Sequence, residues 1–369
     1  MNIKQASLTI VAIIMTFLLL SCSSIPIADL STPSPYAMLV TLDVPGKISS
    51  PIYYIKNNTI KQIGNGIHGV LLNQYAFIYL KQTPDMDNPD LIYQNMETNQ
   101  TIKINLDGQP GTIIGLLSSP NREKIIIHIW PDGIATGNNV YVMLDANDLL
   151  NLPEKHNIKI NVLKTGETYE IMKWIAAVAD DGSLVYIGSN GAPDEGIVYR
   201  DKSGKETIIV KYKELQALDS LIIEGIHPPY NIAEIFDGKI YLLGTNGVWT
   251  FTPETASLTL KYPLDNVDPK GFWIDRKSQQ ILVWGLKLGK VTINIYDIKG
   301  NLINSISDVR YIDPRIINGE IFAITFIKEK TIYSYAIGNI TQENENKYTL
   351  NRIFISQNDI KWWDITDKK

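Results

Sequence analysis

Sulfur and imidazole are scarce: one cysteine, Cys22, and four histidines serve the whole chain. That scarcity argues against a disulfide framework, a cysteine-rich zinc site and an iron–sulfur cluster. An excess of positive charge is missing too. Lys and Arg total 34 against 39 Asp and Glu in 369 residues, a formal net charge of −5, so the electrostatic footprint of a nucleic-acid binder is absent. The sequence has no H-E-x-x-H, no G-x-S-x-G elbow and no glycine-rich phosphate loop opening a helix, which removes the anchors of a zinc protease, an α/β-hydrolase and a dinucleotide enzyme. After Tyr36 helical periodicity nearly vanishes as well. A parallel α/β fold needs a crossover of a dozen or so residues between strand pairs, and only Ala146–Leu152 and Tyr212–Leu221 read as short helices.

What is present begins with an apolar run, Leu8 to Leu20, behind Lys4. At about 1.5 Å per residue it reaches roughly 20 Å, short of a hydrocarbon core about 30 Å thick. It therefore reads as the core of a signal peptide. Leu19-Leu20-Ser21-Cys22 follows directly. This quartet resembles the bacterial lipoprotein signal, in which a small residue precedes a cysteine. The resemblance implies cleavage after residue 21, lipidation of Cys22 and a membrane anchor on the extracytoplasmic side. Ser23 stands where an Asp would resemble an inner-membrane retention signal, so the outer membrane is the expected address if the host has one. Residues 22–35 are rich in Ser and Pro and read as a tether. Residues 36–369 show no compositional break and read as one domain.

Within that domain short Ile-, Val-, Tyr- and Trp-rich runs alternate with turn clusters, the pattern of an all-β chain. Val291, Ile293 and Ile295 share one face of a run, as do Tyr333, Tyr335 and Ile337. Strongly apolar strands recur at Ala37, Ala76, Ile125, Leu184, Ile240, Ile281 and Ile321. Tight-hairpin pairs punctuate the unit: Asp181-Gly182, Asp237-Gly238 and Asn318-Gly319, each able to supply left-handed backbone positions. Four strands repeated about every 40 to 60 residues describe a β-propeller, which buries the faces of its meanders against neighbouring blades. The sequence therefore predicts seven blades of four antiparallel strands, with the ring closed by the C-terminal strand Ile360–Ile365 pairing beside Ala37.

Candidate chemistry is sparse. Asp85, Asp87 and Asp90 space oxygen ligands as a calcium loop does, but lack its sixth-position glycine and distal Glu. A polar turn is the simpler reading. Calcium is the one cofactor the sequence suggests at all. His68, His128, His156 and His227 have no local metal-site spacing. Most of the tryptophans read as packing between blades, while Trp130 at a strand end has the character of a glycan- or peptide-binding aromatic. No catalytic or cofactor-binding residue is assigned. The expectation is a lipid-anchored extracytoplasmic binding or assembly protein that uses a propeller face for protein or glycan contacts. The alternative is a propeller enzyme acting on a glycan or peptide through central-channel carboxylates.

Overall fold

The structure is a computed structural model. It describes residues 27–28, 35–44, 50–57, 59–83, 89–106, 111–130, 140–152, 161–163, 173–188, 196–211, 232–308, 311–329, 332–344 and 347–367. Among them the chain is all-β apart from one short helix, α1 (Ala146–Leu150), where a helix was expected. The other expected helix, Tyr212–Leu221, lies outside the described residues. No helix among the described residues is long and apolar enough to cross a membrane.

Five successive four-stranded meanders stand as blades. The first is β8 (Thr112–Ser118), β9 (Lys124–Trp130), β10 (Val140–Asp145) and β11 (Asn161–Leu163). The second is β12 (Lys173–Val178), β13 (Leu184–Gly188), β14 (Gly196–Arg200) and β15 (Glu206–Lys211). The third is β16 (Ala233–Phe236), β17 (Lys239–Gly244), β18 (Gly247–Thr252) and β19 (Ser257–Pro263). The fourth is β20 (Asp268–Asp275), β21 (Gln280–Lys287), β22 (Lys290–Asp297) and β23 (Leu302–Asp308). The fifth is β24 (Tyr311–Ile317), β25 (Glu320–Glu329), β26 (Ile332–Asn344) and β27 (Lys347–Ser356). A two-residue strand, β1 (Ile27–Ala28), drawn from the expected tether, pairs with the outer strand β27.

The remaining strands overturn the count of seven separate four-stranded blades. They are β2 (Ala37–Asp43), β3 (Ser50–Lys56), β4 (Thr59–Leu71), β5 (Ala76–Lys81), β6 (Asp90–Asn95), β7 (Gln100–Ile104) and β28 (Asp359–Thr366), and they form one seven-stranded sheet. The reason lies in β4, which runs 13 residues without a break. Its first half pairs with β3 and its second with β5. Gly66 and Gly69 permit this: a Cβ at Gly66 would lie 2.0 Å from the Leu80 carbonyl oxygen, and one at Gly69 would lie 2.5 Å from that of Ile78. Strand glycines of this kind mark close backbone approach and bends. Side chains of β2 and β3, including Leu39 and Tyr54, accordingly pack on Phe77 and Tyr79 of β5. The expected pairing of the C-terminal strand beside Ala37 is present, Ile365 opposing Met38 and Ile360 opposing Leu42, but the closure read from it is corrected with the count. β28 is the edge strand of an open sheet, paired to β2, and among the described residues no sheet closes on itself through hydrogen bonds. Side-chain packing joins the fifth blade to this sheet, where Phe322, Ile324 and Ile337 meet Met38, Val40 and Trp363.

Successive hairpins of a meander alternate between its two ends. The tight turns after β8, β12, β16, β20 and β24 therefore share one end of the molecule. Asp237, Gly238, Asn318 and Gly319 there take positive φ of 49°, 69°, 54° and 77°, as the dipeptides predicted. The opposite end carries the β25–β26 hairpin and the step from β27 into β28, and it holds the open cleft described next.

Candidate functional site

Two places concentrate side chains of chemical interest. The first is a cleft of about 380 Å³ lined by Asp43, Phe326, Tyr333, Tyr335, Gln357, Asn358 and Asp359. Its geometry follows from strand alternation. Phe322, Ile324 and Phe326 share a face of β25, and Tyr333, Tyr335 and Ile337 share the facing stripe of β26, so the apolar stripe continues past the buried core. The neighbouring strands end sooner: β2 stops at Asp43 and β28 starts at Asp359. The last rung of the stripe is left uncovered, with Phe326 43% and Tyr333 49% exposed. Phe326 stacks on Tyr333 at 5.4 Å between ring centroids and meets Tyr335 edge-on at 5.4 Å. Phe326 and Tyr335 are direct cross-strand partners, as are Lys328 and Tyr333. The Lys328 amine lies 5.1 Å from the centroid of the Tyr333 ring.

The acidic wall of the cleft is made by register. Asp43 and Asp359 are directly opposed across the β2–β28 ladder, a like-charge pairing that costs a sheet stability. Both are exposed, and among the described residues neither is in an ion pair with a cation. Tyr335 hydrogen-bonds Asp359, and that bond, with burial, pushes the phenol up to about 12. Tyr335 is therefore a protonated donor at neutral pH, aimed at the carboxylate.

The second place is a buried ion network between inner strands and turns. Arg122, from the turn after β8, donates through Nη1 to Asp364 Oδ2 at 2.5 Å and through Nη2 to Asp364 Oδ1 at 2.8 Å. Its guanidinium also reaches the carbonyls of Leu71 at 2.7 Å and Ile365 at 2.8 Å. The Leu71 amide donates to Asp364 Oδ2. Arg315 of β24 lies 3.8 Å from Asp364 and donates to Asp313 at 3.2 Å. Its guanidinium rests 4.2 Å from the Trp363 ring centroid, and the Trp363 indole N–H donates to Asp313 at 2.5 Å. A register shift in β24 between Ile312 and Arg315 delivers Asp313, and bulges of this kind re-aim side chains. Arg122 and Asp313 both hold positive φ, 59° and 47°, a strain of about 1–3 kcal/mol for each such residue that the network offsets.

The two acids respond oppositely to their shared burial. Burial raises the Asp313 carboxyl above the ordinary value despite Arg315 and Trp363. Burial alone would raise Asp364 as well, but the Arg122 guanidinium, with Arg315 and the Leu71 amide, outweighs it and holds that carboxyl low. These two buried carboxylates meet near the turn-bearing end of the sheets. Each is committed to an internal partner, so their first role is to hold strands together.

The sequence-derived candidates fare differently. Asp90 pairs with Lys103 at 2.6 Å in adjacent strands β6 and β7, whereas Asp85 and Asp87 lie outside the described residues. Among the described residues no group of three or more His, Cys, Asp or Glu could hold a metal ion. Cys22, His156 and His227 also fall outside them. His68 lies in β4. His128 stacks on Tyr141 at 4.4 Å and meets Trp130 edge-on; Trp130 is half-buried by its surroundings. Composition and motif reading missed Asp43, Phe326 and Asp359. The signal that was readable was the alternation Tyr333, Tyr335, Ile337; the acidic pair needed the register of strands from opposite ends of the chain.

No protein-family model and no curated protein sequence matches this chain. Solved structures do match in fold. One comes from a structural and mechanistic study of two prolyl endopeptidases, with a TM-score of 0.54 and 11% identity over 91% of this chain and 50% of that one. The present chain thus spans about half the length of that endopeptidase. The β-propeller domain of the Trilobed protease from Pyrococcus furiosus, described as having an open velcro topology, gives a TM-score of 0.54 and 13% identity over 89% of this chain and 98% of that one. The chain is a β-propeller. An uncharacterised protein of Listeria monocytogenes EGD-e matches with a TM-score of 0.50 and 10% identity, over 78% of this chain and 82% of that one. At these identities the likeness concerns the propeller fold alone, and function has to be argued from the sites.

Proposed function

We propose that this propeller is a peptide-recognition module that seats an extended polypeptide in the Phe326–Tyr333–Tyr335 cleft, tethered outside the cytoplasm through lipidated Cys22. The observation that carries the reading is the uncovered aromatic rung: exposed, mutually stacked rings lining a cavity. Aromatic rings offer large contact area at low entropy cost and dominate recognition energetics. Two of the structures of similar fold belong to a prolyl endopeptidase and a protease, which favours peptide over glycan as the ligand chemistry. The test is calorimetric titration of the full chain with a capped alanine-based pentapeptide library. Binding should weaken at least about tenfold, or 1.4 kcal/mol, in a Phe326→Ala/Tyr333→Ala variant. Equal affinity in that variant would remove the reading.

A second reading is peptide hydrolysis through the buried carboxylates. Asp313 favours it, because burial keeps its carboxyl above the ordinary range, as general acids require. Mass spectrometry of peptides incubated with the wild type and with Asp313→Asn decides it. Cleavage that persists in the variant, or is absent from both, excludes this route.

A further inference from the structure

Resting on the peptide reading, we infer that the cleft selects a cationic side chain, a lysine or arginine of the bound polypeptide, held between the aromatic rung and the Asp43–Asp359 pair. Two independent features meet at this place. One is steric and apolar: stacked Phe326 and Tyr333, half exposed, at the end of a packed stripe. The other is electrostatic. Asp43 and Asp359 face each other across adjacent strands in an arrangement that disfavours the sheet, and among the described residues no cation is paired with either. The network at the other end shows the contrast, since every carboxylate there has its guanidinium.

A cation entering the cleft would relieve the carboxylate repulsion and lie against ring faces, which attract positive charge. Tyr335 would hold one carboxylate in place, because its hydroxyl already hydrogen-bonds Asp359. The Tyr333 ring already accepts a cation from within the chain, the Lys328 amine. Lys328 is exposed and stands near the β25–β26 hairpin turn, outside the set of residues that line the cleft. Arginine fits this combination well, because its planar guanidinium both stacks on rings and forks to carboxylates.

The experiment titrates the full chain with two capped alanine pentapeptides, one with a central arginine and one with the neutral isostere citrulline. Free arginine amide is a third probe, and the Asp43→Asn/Asp359→Asn variant a second protein. The inference expects the arginine peptide to bind at least about tenfold tighter than the citrulline peptide, with the difference erased in the double variant and reduced by salt. Equal binding of the two peptides to the wild type would overturn cation selection while leaving peptide recognition standing. Arginine amide binding as tightly as the arginine peptide would keep cation selection and remove peptide recognition. Binding of neither peptide nor amide overturns both. The arginine–citrulline comparison is made on the wild type, so it decides the matter even if the double variant fails to fold.

Discussion

Strand β28 joins two opposite designs within eight residues. At its end, Asp364 is buried and held by two guanidinium groups and a backbone amide. At its start, Asp359 is exposed and faces another carboxylate. The turn-rich end is cross-linked throughout: Asn121 and Arg276 both bond Asp180, the Gly319 amide bonds Asp275, and Asn318 and Gln74 both bond residue Asp367. At the cleft end, no cation among the described residues pairs with Asp43 or Asp359. The difference teaches where stability and recognition are placed. Paired carboxylates and guanidinium groups tie elements together at one end, while uncovered rings and, among the described residues, carboxylates without a cation partner are left at the other, where a ligand can complete them.

Removing residues 359–369 should break this contrast most severely. It strips the fully buried Trp363 and Asp364, the carboxylate held by Arg122 and Arg315, a loss above about 5 kcal/mol, and the cooperative thermal transition should disappear. Asp364→Asn comes next. It leaves Arg122 and Arg315 buried beside a neutral group, and denaturant midpoints should report a loss of about 3–5 kcal/mol, while Asp359→Asn on the same strand should leave the midpoint nearly unchanged.

Acid titration sharpens the contrast inside the network. Asp364 has a folded pKa below its unfolded value of about 3.9, so its contribution is complete above that pH and is lost as pH falls through the folded value. Asp313 has a folded pKa above the unfolded one, so its penalty is absent below about pH 3.9 and grows as pH rises to the folded value. Stability measured by urea denaturation against pH should lose its falling component in Asp313→Asn. A curve identical to wild type would show that Asp313 does not titrate as its burial demands. The smallest effect belongs to Asp43→Asn, which relieves like-charge facing and should raise Tm by about 1 °C; a drop would mean that Asp43 has a stabilising partner.

Much of the fold was legible because it is local. Alternation marked the strands, and Asp-Gly and Asn-Gly marked tight hairpins whose positive φ values the structure carries. Asp201 and Asp297 cap hairpin turns by accepting backbone amides from Ser203 and Lys205 and from Lys299 and Asn301. The blade count went wrong at one element. β4 has no breaking loop, and the glycines that look like punctuation there let one strand serve two neighbours. Of the cleft, only the tyrosine alternation was visible. The acidic pair was hidden because charge on an exposed strand end reads as solvation until its cross-strand neighbour is known.

By itself the sequence determined the class of the molecule: an all-β chain of meanders, since side-chain alternation and turn chemistry act within a few residues. Tertiary structure alone decided which distant residues meet. Arg122, in a turn, finds Asp364 through the packing of sheets far apart in the chain, and Asp43 opposes Asp359 through strand register, where a shift of one residue would turn a side chain to the other face.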